Sequence, residues 1–183
     1  YLRANQAFCD YRFKKYQDAF VTVRDALERE SLIFGSQKSL VRAELMQLKS
    51  LILVENEEYD EAEISIRESL AIFEKIRGKD PYLPYAQSIK ILADILLRKE
   101  KTEESQDVMI SSLNMFKTLI KDSTTLEFGE AFVLMGKIFL LLGDFEKLRS
   151  TYKELEMRFG KDNENTKKLF SIIEKENKSW IIS

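Results

Sequence analysis

The side chains able to do chemistry here are carboxylates, amines, hydroxyls and one thiol; the 183 residues include a single cysteine and no histidine. Without imidazole the chain lacks the commonest general base and the commonest transition-metal ligand. Zinc, haem and nucleophile-triad chemistries each lose a required part. Paired carboxylates remain, as at Glu103-Glu104. A hydrolytic pair must face one substrate, however, and adjacent helix positions point apart. The six glycines stand apart from one another, so no phosphate-cradling loop is present. Cys9 lies between Phe8 and Phe13 and is expected to be a small buried side chain. The sequence therefore names no catalytic residue, no cofactor site and no metal site.

The elements that position these residues are helical. Only two prolines interrupt the chain, hydrophobic residues make up 44% and charged residues 33%, as in a folded protein without a membrane span. Charge is nearly balanced, 29 basic residues against 31 acidic, which argues against nucleic acid as the main ligand. One cysteine cannot close an internal disulfide. No apolar core follows a basic start, so no signal peptide is read. The first residues, Tyr1-Leu2-Arg3-Ala4, already read as helix, and the chain is expected to be a piece of a longer protein.

A repeat organises everything else. A ring recurs at Tyr16, Tyr59 and Phe145, with Thr102 in the third copy, always 43 residues apart. Three places on come Ala19, Ala62, Ser105 and Leu148, then Ala26, Ser69, Ser112 and Leu155. Upstream, Ala7, Ser50, Ala93 and Gly136 keep the same period, as do Leu48, Ile91 and Leu134. Small residues suit the close crossing of two helices, and the ring beside the turn fills the space next to it. Each helix pair leaves an apolar face that only a neighbouring pair can cover.

Within a copy the pattern is helix, tight turn, helix. Ile89, Leu92, Ala93, Leu96 and Leu97 follow one helix face, and Ile64, Ile66, Leu70, Phe73 and Ile76 form the next stripe. The acidic run from Glu55 to Glu63 is a solvated turn followed by charges that favour a helix start. Gly78-Lys-Asp-Pro81 closes the second helix. The spacing predicts helices over 1–13, 16–34, 38–55, 59–77, 83–99, 102–121, 125–142, 145–159 and 163–179. Phe128, Phe132 and Phe139 are expected in the core. Residues 1–160 form four copies, the last shortened, and 161–183 a capping helix with a tail. Trp180-Ile181-Ile182 ends that tail, with Trp180 either folding back or touching another chain.

The run Tyr59-Asp60-Glu61-Ala62 followed by Ser69-Leu70, with Ala93 and Leu96 in the preceding-helix pattern, resembles the tetratricopeptide repeat (TPR). The common unit has 34 residues. The longer unit here, closed by Leu70-Ala-Ile-Phe-Glu-Lys-Ile-Arg-Gly-Lys-Asp-Pro81, is similar to the repeats of kinesin light chains. The resemblance implies an all-α, right-handed α-solenoid of antiparallel helix pairs, about nine helices, with proteins or peptides held along the first helix of each pair. Aligned by register, the groove positions are Tyr1, Ala4, Phe8 and Arg12; Glu44, Gln47, Leu51 and Glu55; Gln87, Lys90, Asp94 and Arg98; and Glu130, Val133 and Lys137. These positions do not hold the Lys, Asn and Arg clamp of chaperone-binding relatives. The resemblance implies an adaptor inside a larger intracellular complex, in a cytoplasmic, cytoskeletal or ciliary setting. A peptide-sensing regulatory module joined to an output domain is the alternative. Neither nucleic acid nor membrane is expected as a partner.

Overall fold

A computed structural model describes residues 2–35, 39–78, 80–120 and 125–176, with side chains from residue 5 onward. Among them are α1 (Leu2–Arg12), α2 (Tyr16–Phe34), α3 (Leu40–Glu55), α4 (Tyr59–Arg77), α5 (Leu83–Arg98), α6 (Thr102–Leu119), α7 (Leu126–Leu142), α8 (Phe145–Phe159) and α9 (Glu164–Lys175). No strand occurs among the described residues. Trp180 and the rest of the expected tail lie outside them, as does the end of the predicted last helix.

Short turns fold consecutive helices back as antiparallel pairs. The residue that reverses the chain sits in the left-handed region at Lys14, Glu57, Glu100 and Gly143, with φ of 59°, 63°, 61° and 71°. These four are 43 residues apart. Only the last is the residue type that takes this conformation without steric cost. The second helix of the first two pairs ends at Gly35 and Gly78, where positive φ combines with ψ of −127° and −157°, a region open essentially to glycine.

The chain divides into two compact units, Tyr1–Asp80 and Pro81–Ser183. In the first, α1 packs on α2 and α3, and α3 on α4. Ala7, Ala19, Val23, Leu48 and Ile52 form its core between α1, α2 and α3. The small positions let the helices of a pair approach closely: the Ser69 hydroxyl donates to the Ala43 carbonyl across α3 and α4 at 2.7 Å.

The second unit repeats this device. Ser112 donates to the Ala86 carbonyl at 2.8 Å and Ser105 to that of Ala93 at 2.7 Å, joining α5 and α6. Phe128, Phe132 and Phe139 are buried as expected. Phe116 stacks on Phe128 at 5.8 Å between ring centres, and Phe159 meets Phe128 edge-on at 6.0 Å. The pair α7 and α8 carries Leu148 and Leu155 where α6 has Ser105 and Ser112. The small residues now lie on α7, as Gly129 and Gly136, and α9 uses the room. A Cβ at Gly136 would sit 2.5 Å from Leu169 Cδ1. Asn165 lies over Gly129 in the same way.

Three expectations need correction. Cys9 is exposed, and so are Phe8 and Phe13 at 51% and 76%. Its counterparts one, two and three periods on, Ile52, Ile95 and Ile138, are fully buried. On α1 that face is polar: Asn5, Gln6, Cys9 and Asp10 stand where the later copies have mostly leucine and isoleucine. Gln6 donates to the Asp10 carboxylate across this face at 3.1 Å. On α4, Ile64 and Ile76 point to solvent, because the buried stripe runs instead through Ala62, Ile66, Ser69, Ile72 and Phe73. Val133, aligned with the groove, is 4% exposed and belongs to the core of the second unit.

Candidate functional site

The register positions named for partner binding can be followed helix by helix. Residues three or four apart share a helix face. In the first unit this brings Glu44, Gln47, Leu51 and Glu55 into one row on α3, with Arg12 exposed at the end of α1. The Tyr1 position lies outside the described residues, as does the side chain of Ala4. Glu55 does not project freely: it accepts a hydrogen bond from the Tyr16 hydroxyl, one period-mate of the turn rings. Partial burial, then that bond and the nearby charge, raises the Tyr16 pKa above its ordinary value. Glu44 is half-buried, and loss of solvent raises its carboxyl pKa.

In the second unit the row on α5 is Gln87, Lys90, Asp94 and Arg98, with Glu130 and Lys137 beside it on α7. Lys90 forms an ion pair with Glu130, joining the two helices. Arg98 Nε meets Asp94 Oδ2 at 3.0 Å, one turn apart on α5. The expected alternation of signs is thus largely used within the chain. Gln87 and Lys137 are half-exposed, and Lys137 makes no ion pair among the described residues. Hydrogen bonds between exposed or half-exposed charges contribute little to folding, so they exchange for a ligand's groups at small cost.

Sequence reasoning missed a second charged cluster, at the junction of α2 and α3. Glu30 is 5% exposed. Its Oε1 accepts from the Ser39 hydroxyl at 2.6 Å, and its Oε2 faces Arg42 Nη1 at 3.2 Å. Arg42 also reaches Glu68 through Nε at 3.3 Å and Ser31 through Nη1 at 3.0 Å. Ser39 in addition caps α3, accepting from the Arg42 backbone N–H at 3.0 Å. The signal was present in the register. The positions 43, 86 and 129 residues after Glu30 are Phe73, Phe116 and Phe159, and those 43 and 86 after Arg42 are Tyr85 and Phe128.

Among the described residues no group of three histidines, cysteines or acids is placed to hold a metal ion, and no helix is long and apolar enough to cross a membrane.

No family model matches the chain, and no curated protein matches it in sequence. Among solved structures it is similar to the crystal structure of BtubC (BKLC) from P. vanneervenii, with a TM-score of 0.76 at 14% identity, over 96% of this chain and 72% of that one. The 43-residue helix pairs, their shared turn geometry and this likeness together give the fold: antiparallel helix pairs of the tetratricopeptide kind, in a long-repeat form similar to that of kinesin light chains.

Proposed function

We propose that the chain is a protein-interaction scaffold that holds partner segments on the first-helix rows of its repeats, without catalysis of its own. The observation that carries this reading is the row on α5 and α7. It sets Gln87, Lys90, Asp94, Arg98, Glu130 and Lys137 on one polar surface while the apolar faces of both helices are used in packing. Such a surface offers donors and acceptors at one-turn spacing but no nucleophile–base pair. We read residues 1–160 as four copies of the repeat and α9 as the helix that closes the last one. A place in a larger intracellular assembly, cytoskeletal or ciliary, accords with the long repeat. That setting rests on likeness of fold, which does not fix function.

The test is affinity capture from the parent cell extract, read by mass spectrometry, with the Lys90→Ala/Asp94→Ala/Arg98→Ala variant beside the parent chain. The variant keeps its core, so its circular dichroism should match the parent's. A small set of proteins enriched by the parent and weakened at least tenfold, about 1.4 kcal/mol, in the variant supports the row as the binding surface. Equal capture by both places the contact elsewhere and rejects this reading of the row.

A further inference from the structure

The α2/α3 junction is open where its counterpart in the second unit is filled. At the α6/α7 junction, Met109, Leu113, Phe116, Phe128 and Met135 are all at least nine-tenths buried and pack as one core. The residues in the same register at α2/α3 are Val23, Leu27, Glu30, Arg42 and Lys49. Charged side chains thus stand where two phenylalanines and a methionine close the other junction. The result is a groove of about 560 Å³. Its floor is apolar, from Phe20, Val23 and Leu27, and it ends at Leu32, which is 86% exposed.

The walls of this groove are basic. Arg24, Arg42 and Lys49 line it against the single acid Glu28, in a chain whose net charge is −2. Arg42 is engaged by Glu30 and Glu68. Among the described residues Lys49 makes no ion pair, and Arg24 reaches only Asp25 at 3.9 Å. Two cations are therefore available to a ligand. The floor follows α2 at three- and four-residue spacing through Phe20, Val23, Leu27 and Ser31, about 16 Å at the helical rise. That is the length of roughly three turns of helix, and the bounding walls are themselves helices.

We propose that the α2/α3 groove is a docking site for an amphipathic helix of a partner protein, apolar along the ridge that enters the groove and acidic along the flank facing Arg24 and Lys49. Its apolar ridge takes the place that aromatic side chains occupy at α6/α7, in the helix-in-groove manner. The site is separate from the α3 row of Glu44, Gln47, Leu51 and Glu55, since Arg42 and Lys49 lie seven residues apart on another stripe of the same helix. Placing charge at an otherwise aromatic junction sacrifices packing, and a ligand site accounts for that sacrifice.

The experiment is to pan a display library of 14-residue helical peptides against the whole 183-residue chain and measure selected peptides by fluorescence anisotropy. Three variants serve as comparisons. Lys49→Glu reverses a wall charge outside the core. Glu30→Phe/Arg42→Phe/Lys49→Met installs the residues of the α6/α7 junction and closes the groove. Lys90→Ala alters the α5 row alone. The proposal expects enriched helices with an apolar ridge and an acidic flank, bound at least tenfold more weakly by the first two variants and equally by the third, with affinity falling as salt rises. It is overturned if no helix is enriched, if the enriched helices are basic, or if acidic ones bind Lys49→Glu as tightly as the parent.

Discussion

At the residue scale, the hairpin turns hold strain that the chain tolerates for the sake of reversal. Lys14, Glu57 and Glu100 are L-residues with Cβ atoms in the left-handed region, which costs about 1–2 kcal/mol each against right-handed backbone. Glycine at those places removes the steric cost but adds about 0.5–1 kcal/mol of unfolded-chain entropy. Glu57→Gly and Glu100→Gly should therefore each raise stability by about 0.5 kcal/mol in urea titrations. Gly143→Ala, at the same register, should lower it by about 1 kcal/mol. Equal midpoints for all three would show that the turn is relaxed by its surroundings. Glu44 makes a different prediction. Burial raises its pKa in the folded state, so folding binds its proton more tightly than the open chain does. Its contribution to stability is best below the ordinary carboxylate value and declines as pH rises from there through the raised value. Glu44→Gln should accordingly be more stable than the parent at neutral pH and should lose that advantage in acid.

At the element scale, the helices were legible because an apolar face and a turn coincide every period, with a glycine or proline stop after α2, α4 and α8. The predicted 16–34, 59–77 and 145–159 match α2, α4 and α8. What stayed hidden is what no local pattern records. Nothing in Lys14 or Glu57 signals left-handed backbone, since the turn is imposed by the packing of the helices it joins. The pair of buried Glu30 with half-buried Arg42 was readable only by comparing it with Phe116 and Phe128 two periods on. The aromatic neighbours of Cys9 in sequence do not bury it: Phe8 is exposed on α1 and Phe13 lies in the turn beyond it. The glycines of α7 carry their own test. Gly136→Ala gains helix propensity, about 1 kcal/mol, yet pushes a methyl into Leu169, which is fully buried. Overpacking costs about 1–3 kcal/mol, so the variant should melt lower than the parent and hydrogen exchange should speed up in α9. Adding Leu169→Ala should restore part of the loss, because the two changes share one space. If the two losses simply add, the helices are not in the contact described.

At the scale of the whole molecule, the question is what becomes of a helix-pair face that no neighbouring pair covers. An apolar helix-pair face is sticky by construction, so a face that meets solvent must be polar. At α9, Lys167, Lys168, Glu174 and Lys175 face solvent. Along α1 the residue type changes in register: Asn5, Gln6, Cys9 and Asp10 replace Leu48, Lys49, Ile52 and Leu53, and the face is exposed or half-exposed. The logic can be reversed by substitution. Asn5→Leu/Gln6→Leu/Cys9→Ile/Asp10→Leu would recreate on α1 the face that α5 carries as Ile91, Leu92, Ile95 and Leu96. These are surface changes, so the helices should still form and the far-ultraviolet spectrum should keep its shape. The uncovered apolar face should then seek a partner, and sedimentation velocity should show heavier species than for the parent at the same concentration. If the variant sediments as the parent does, the polar residues of α1 are not what keeps copies of the chain apart.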